Sequence, residues 1–226
     1  MGGVFVTATG TDIGKTFVSA GLIRHWRAAG HRVDALKPVV SGFDPDKAAA
    51  SDSGVLLDAL GQSVTPQDIE RISPWRFTAP LSPDMAAQRE GRRIDVDELV
   101  SFCKSNIATH DGITLIEGVG GVMVPLDDTH TVLDWMMALR IPVVLVAGSY
   151  LGTISHTLTA LDVLLRWDIP IAALVVSESE SQPVPLDETA AAMARFAGSI
   201  EVIGVPRLSA GQHAHPAFGR IAKLVE

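Results

Sequence analysis

Gly14-Lys15-Thr16 stands between a short apolar run, residues 4–8, and a helical pattern that opens at Lys15. At a strand-to-helix turn the backbone N–H groups of the loop, those of Thr11, Asp12, Ile13 and Gly14 among them, join the positive end of the helix in offering partial charge to phosphates. Lys15 would reach the β- and γ-phosphates of a nucleotide, and the Thr16 hydroxyl would take Mg²⁺. The strict phosphate-loop spacing asks for glycine five residues before Gly14, where this chain has Thr9. The plainer alternative is an ordinary turn with an exposed lysine.

A magnesium ion needs few protein ligands, so one hydroxyl and one or two carboxylates suffice. Glu117 ends a third apolar run and precedes Gly118-Val119-Gly120-Gly121. A carboxylate at the carboxyl end of a strand, beside a glycine-rich loop, is where a phosphate-loop enzyme places its metal partner. Asp52, in Ala50-Ser51-Asp52-Ser53, is a second candidate, although its place before the helical run 55–60 also suits a simple helix N-cap. Lys37 ends the second apolar run, in Leu36-Lys37-Pro38-Val39-Val40-Ser41-Gly42. Lys15 and Lys37 would form a local cationic pocket. At an effective dielectric near about 20, a charge roughly 4 Å from a phosphate oxygen contributes about 4 kcal/mol before desolvation. A lysine ending a strand otherwise snorkels to solvent. His213 and His215 lack zinc spacing, and Cys103, among Leu99, Val100 and Phe102, reads as a packed thiol.

These residues need a scaffold, and the hydrophobic pattern supplies one. Residues 4–8, 32–37, 113–117, 142–147, 171–177 and 202–205 are continuous apolar runs rather than alternating ones, the mark of parallel strands covered on both faces. Helical patterns lie between them: 15–29, closed by Gly30; one opening at Ser82-Pro83 with the Ser82 hydroxyl as cap and stopping at Gly91; one opening at Asp95 with Glu98 three residues on; 155–167; and 187–196. Trp135, Met136 and Met137 read as helix core. Residues 41–50, 61–83, 177–185 and 209–216 read as loops. The expected class is α/β, a P-loop NTPase-like, doubly wound, mostly parallel sheet with helices on both faces, forming a single domain over 1–226.

Composition narrows the partners. The 226 residues carry 18 Lys plus Arg against 26 Asp plus Glu, a net charge of −8, which opposes sequence-independent binding to nucleic acid or an anionic membrane. With 47% hydrophobic and 19% charged residues, disorder is excluded. A single cysteine allows no intrachain disulfide and points to a reducing compartment. The start of the chain lacks a signal peptide's basic and apolar regions, and the apolar stretch 132–148 contains Asp134, Arg140 and Pro142, so a cytoplasmic protein is expected.

The chain resembles the dethiobiotin synthetases. The matching segments are Phe5-Val6-Thr7 with Thr11 and Gly14-Lys15-Thr16; Lys37-Pro38-Val39 with Ser41-Gly42; Ser51-Asp52; Ser82-Pro83; Glu117-Gly118-Val119-Gly120-Gly121 with Pro125-Leu126; and Leu151-Gly152-Thr153-Ile154-Ser155-His156. The resemblance implies an ATP- and Mg²⁺-dependent cyclo-ligase that joins CO₂ to 7,8-diaminononanoate. A carbamate and a carbamic–phosphoric anhydride would be its intermediates. It implies that Thr16, Asp52 and Glu117 hold the metal, that Thr11, Lys37 and Ser41 line the carbamate and diamine, and that 117–120 contact nucleotide. The same resemblance assigns Ser177 and Val205-Pro206-Arg207 to the nucleobase. In a homodimer, Leu151 and Ser155 would then help hold the substrate's carboxylate end, with the substrate site at the subunit interface. Ala8 and Gly10 depart from the family's phosphate loop, Ser177-Glu178 stands where Asn-Asp is usual, and Ser155 replaces an asparagine. A partition-type ATPase would carry an extra lysine where this chain has Gly10, and an amidating relative would need a glutamine amidotransferase domain for which there is no room. Lys37→Ala is expected to abolish turnover and to leave the melting temperature nearly unchanged.

Overall fold

The computed structural model describes residues 2–225; Met1 and Glu226, the ends of the expected domain, lie outside the described residues. Six strands form one parallel sheet: β1 (Gly3–Ala8), β2 (Val33–Leu36), β5 (Ile113–Glu117), β6 (Val143–Ala147), β7 (Ile171–Ser177) and β8 (Val202–Val205), in the order β2-β5-β1-β6-β7-β8. The central strands β1, β5 and β6 are buried at every position. Helices cover both faces, so the strands in the middle of the sheet are apolar on both sides, broken only by Thr7, Thr114 and Glu117. From β1 the chain moves one way to β2 and, later, the other way through β6, β7 and β8. The carboxyl ends of β1 and its neighbour β5 therefore open at the switch point where ligands bind in such sheets.

The covering helices are α1 (Lys15–Ala28), α2 (Asp52–Ala59), α3 (Pro66–Ile72), α4 (Pro83–Arg89), α5 (Val96–Thr109), α6 (Val132–Leu139), α7 (Thr153–Arg166), α8 (Leu186–Ala194) and α9 (Pro216–Val225). Trp26, Trp135 and Phe5 are the largest apolar side chains sealed in the core. Phe5 on β1 meets the Trp135 ring edge-on at 4.9 Å, which locks α6 against the strand that carries the phosphate loop. α1 is held from its other side by α9, through Phe17 and Phe218 at 5.9 Å.

All six sheet strands fall on the apolar runs. Three expectations need correction. The span 61–83 is not one loop: it contains α3 and the strand β4 (Trp75–Phe77), which pairs in parallel with β3 (Val39–Ser41) as a separate two-stranded sheet. Both strands are three residues long, too short to show a period, and α3 offers only Ile69 and Ile72 to the core. Within 41–50, residues Pro45–Ala50 form a 3₁₀ turn. Ser82 also makes no side-chain cap on α4, where Pro83 at the first helical position leaves one fewer N–H to satisfy. Asp95 caps α5 as expected, accepting from the Glu98 N–H at 3.0 Å.

Candidate active site

Strand register places the charged residues before any side chain is considered. Val6 of β1 lies opposite Glu117 of β5, and Leu36 of β2 lies opposite Ile116. Lys37, one residue past Leu36, therefore leaves its strand at the level of Glu117 on the neighbouring strand. After β1 the chain turns into α1 through Gly14, whose φ of 99° is left-handed. A Cβ there would also lie 2.5 Å from the Ser177 hydroxyl, so only glycine lets the loop close onto the end of β7. Gly120 has φ 58° and would place a Cβ 2.5 Å from Val124, which keeps the Glu117–Gly121 turn tight against the loop that follows.

Five side chains then converge. The Lys15 ammonium donates to the Gly10 and Gly120 carbonyls, each at 2.8 Å, pinning the phosphate loop to the glycine turn after β5. The Thr16 hydroxyl donates to Glu117 Oε1 at 2.7 Å. Lys37 donates to the same oxygen at 2.8 Å and to the Gly118 carbonyl at 2.7 Å, and its ammonium lies 3.2 Å from Asp52 Oδ2. Lys37 is 2% exposed and Glu117 0%. It does not snorkel: it is the resident counter-charge of two carboxylates.

The electrostatics follow from that burial. Desolvation works to strip the Lys37 proton, but Glu117 and Asp52 outweigh it and hold its pKa above the ordinary lysine value. Desolvation likewise favours a protonated Asp52, and Lys37 and Thr16 outweigh it, keeping the carboxyl ionised below its usual range. Among the described residues Lys15 has no carboxylate in contact. Burial first, and repulsion from Lys37 second, bring it down to about 8.

Asp52 is not the N-cap of α2. Ser51 takes that place, accepting from the Gly54 N–H at 3.2 Å, and Asp52 is the first helical residue with its carboxylate turned to Lys37. One hydroxyl and two carboxylates, on Thr16, Asp52 and Glu117, form an oxygen-only set. Glu117 Oε2 is buried with no hydrogen-bond partner among the described residues. An unclaimed carboxylate oxygen beside a hydroxyl and a second carboxylate fits Mg²⁺, and these residues could hold it.

A cavity of about 800 Å³ opens above this cluster. Thr11, Asp12, Ile13, Gly14, Lys15, Thr16, Lys37, Ser41, Asp52, Val119 and Gly120 all line it. The Ser41 hydroxyl is buried without a partner among the described residues. Glu117 and Gly118 do not line the cavity; Glu117 borders its floor through Thr16 and Lys37, and Gly118 through Lys37. Pro80, Leu81 and Ser82 add a wall from the loop before α4; only the resemblance, through Ser82-Pro83, pointed to that wall. A second cavity of about 390 Å³ shares Asp12, Ile13, Gly14 and Phe17 with the first and runs to Ser177, Glu178, Ser179 and Arg207. Val205 and Pro206 do not line it. Val205 is buried within β8, and its carbonyl accepts the Glu178 N–H at 2.9 Å. Leu151 and Ser155 line neither cavity; both are exposed, Leu151 at 85%. Cys103 is buried, which pushes its thiol up to about 12 and leaves it inert.

The span 2–210 matches a family described as an AAA domain. Among solved structures, the septum site-determining protein MinD of Pyrococcus horikoshii, complexed with Mg-ADP, superposes with a TM-score of 0.59 at 15% identity, covering 99% of this chain and 95% of that one. A ParA family ATPase of Chlorobium tepidum gives 0.53 at 14%, covering 91% and 84%. At such identities the likeness shows the fold: a P-loop ATPase sheet. Closer in sequence are the ATP-dependent dethiobiotin synthetase of Acidiphilium cryptum, 56% identical over 86% of this chain and 88% of its own length, and that of Caulobacter sp. strain K31, 52% identical over 92% and 89%. The chain belongs to the ATP-dependent dethiobiotin synthetase family.

Proposed function

We infer that the clustered side chains above carry the ATP-dependent closure of a ureido ring that this cyclo-ligase performs, and that each acts as follows. The substrates are 7,8-diaminononanoate, CO₂ and ATP. One amine of the diamine adds to CO₂ and loses a proton, giving a carbamate. A carbamate oxygen attacks the γ-phosphorus and ADP leaves, which gives a carbamic–phosphoric anhydride. The second amine then attacks the carbonyl carbon, phosphate departs with the C–O bond, and loss of a second proton leaves dethiobiotin. A carbamate is a poor acyl donor because its leaving oxygen is so basic; phosphorylation supplies a good leaving group.

The protein's part is positioning and charge neutralisation. Thr11, Asp12, Ile13 and Gly14 cradle the phosphates through the loop backbone. Lys15 exchanges its two carbonyl partners for phosphate oxygens. Lys37, held at the cavity floor by Glu117 and Asp52, stays charged and faces the carbamate as its oxygen is phosphorylated to the mixed anhydride. Thr11 and the free Ser41 hydroxyl orient the diamine end. Thr16, Asp52 and Glu117 would hold Mg²⁺, which when bound neutralises the β- and γ-phosphates. Val119 and Gly120 bound the nucleotide on the β5 side, and Ser177 with Arg207 takes the base in the second cavity. The single observation that carries this reading is the convergence of Lys15, Thr16, Lys37 and Asp52 on one cavity floor, with Glu117 bonded to Thr16 and Lys37 directly behind them.

The Leu151–Ser155 segment, exposed except at Thr153, contributes to the site of a second copy, so the working enzyme is a homodimer. Ile154, 37% exposed, adds an apolar side chain to that face. Among the described residues no helix is long and apolar enough to cross a membrane, which supports a cytoplasmic enzyme. The test is phosphate release with diamine, bicarbonate and MgATP together, and with each omitted in turn. Release that depends on both diamine and bicarbonate supports the reading; release from ATP alone at the same rate contradicts it.

A further inference from the structure

Three loops leave the carboxyl ends of β6, β7 and β8, and one closed set of hydrogen bonds ties them together. Ser149, fully buried, donates its N–H to the Ser179 hydroxyl at 2.9 Å, and Ser179 returns its N–H to the Ser149 hydroxyl at 2.8 Å. The Ser149 hydroxyl passes its own proton to Gln182 Oε1 at 2.7 Å. Gln182 Nε2 donates to Glu178 Oε1 at 2.7 Å, and the Arg207 N–H caps Glu178 Oε2 at 2.8 Å. The Glu178 carboxylate orients the Gln182 amide: its NH₂ turns to Glu178, which leaves Oε1 to accept from the Ser149 hydroxyl. Thr153 closes the loop from below, donating to the Gly148 carbonyl at 2.8 Å.

The circuit has two faces. Glu178, Ser179 and Arg207 line the second cavity. Ser149 immediately precedes Tyr150 and the Leu151–Ser155 segment. We propose that Ser149, Ser179 and Gln182 are positioning residues that couple the nucleobase cavity of one protomer to the segment that this protomer lends to its partner's diamine site. This rests on the site reading given above. A base seated against Glu178 and Ser179 fixes their side chains, and through Gln182 and Ser149 it fixes the loop that presents Leu151. Breaking the circuit leaves a buried hydroxyl and a carboxylate each short of a partner, so the two loops no longer report to each other.

The test separates the base from the phosphates. Diamine affinity is measured by calorimetry on the Mg²⁺-loaded wild-type protein alone, with a non-hydrolysable ATP analogue, and with inorganic triphosphate, which fills the phosphate loop and leaves the second cavity empty. The coupling predicts that the nucleotide analogue tightens diamine binding by about fivefold or more beyond the effect of triphosphate. Gln182→Glu places two carboxylates together and brings the factor down to that of triphosphate. The double variant Glu178→Gln with Gln182→Glu exchanges donor and acceptor, restores the circuit and recovers the factor. Ser149→Ala removes the hub and acts as Gln182→Glu does, should that variant fail to fold. Equal factors for nucleotide and triphosphate in the wild type, a factor unmoved in Gln182→Glu or Ser149→Ala, or a double variant that recovers nothing would each overturn the coupling. A wild-type protein that binds neither nucleotide nor diamine contradicts the site reading itself, a different failure.

Discussion

The two ends of the proposed nucleotide site are built on opposite plans. The phosphate end draws on the tips of β1, β2 and β5, and its decisive groups are full charges, most of them taken out of water: Lys37 buried against Glu117 with the half-exposed Asp52 beside it, and Lys15 held on backbone carbonyls. The base end draws on the loops after β7 and β8, and its contacts are a hydroxyl, a half-buried carboxylate and main-chain groups. Moving a phosphoryl group requires fixed charge in a low dielectric, where each ion must be countered or the fold suffers. Holding a planar base requires shape and a few hydrogen bonds. The first plan tolerates few substitutions. The second tolerates more: this chain departs from the family pattern there at Ser177-Glu178, while at the phosphate end it departs at Ala8 and Gly10 and keeps Gly14, Lys15, Thr16, Lys37 and Glu117.

Lys37→Ala is the severest way to break the contrast. It should lower dethiobiotin formation by about 1,000-fold or more, since it removes charge that serves the transferring group. The geometry also replaces the expectation of an unchanged melting temperature. Glu117, fully buried, and Asp52 lose their common counter-charge, and breaking a buried pair from one side costs about 3–5 kcal/mol. Chemical denaturation of the variant should show that loss, and a variant as stable as the wild type would mean that the carboxylates find another cation.

Next in size is Thr16→Val. It deletes both a candidate metal ligand and the hydroxyl that donates to Glu117. ATP affinity measured with Mg²⁺ should fall by about tenfold or more, the loss of one hydrogen bond to a charged group, while affinity in a chelator should move far less. An equal loss under both conditions would remove Thr16 from the metal set.

Lys15 sets a pH dependence. Its folded pKa, about 8, lies below the ordinary lysine value, so the free enzyme loses this proton as pH rises through 8, whereas bound phosphate charge would retain it. ATP affinity should therefore be level below about pH 7 and weaken by up to tenfold per pH unit above about 8. For folding the sign is the reverse. The cost of burying the ammonium is fully present below about pH 8 and shrinks as pH rises toward the ordinary lysine value. Flat ATP affinity between pH 7 and 9 would show that Lys15 stays protonated in the free enzyme. The smallest effect belongs to the base end: Ser177→Ala should raise the nucleotide KM by no more than about tenfold and leave kcat in place, as expected for one neutral hydrogen bond.

Legibility in the sequence follows the same division. The six-stranded sheet could be read because strands covered on both faces must be apolar throughout, and the phosphate loop because glycine, lysine and threonine have fixed jobs at a strand-to-helix turn. Lys37 and Glu117 could be read as strand-end residues, but their pairing could not: it depends on β2 and β5 being neighbours, a fact of topology that no local pattern carries. Asp52 was ambiguous for a physical reason, because a carboxylate at a helix start suits a cap and a metal equally, and Ser51 beside it resolves the matter only once its bond to Gly54 is seen. The strands β3 and β4 escaped because three residues show no period. Val205 and Pro206 were assigned to the base by resemblance, whereas the second cavity takes Arg207 and Glu178 from the same loops. Gln182 carries no motif at all, and its place between Ser149 and Glu178 emerges only from the folded loops.

The central claim is that a carbamate oxygen, steadied by Lys37, attacks the γ-phosphorus. The most direct check is a turnover in CO₂ carrying oxygen-18 in both positions, with the released phosphate and the dethiobiotin analysed by mass spectrometry. The mechanism predicts one heavy oxygen in each molecule of phosphate and one in the ring carbonyl. Phosphate free of label, formed alongside labelled dethiobiotin, would contradict it.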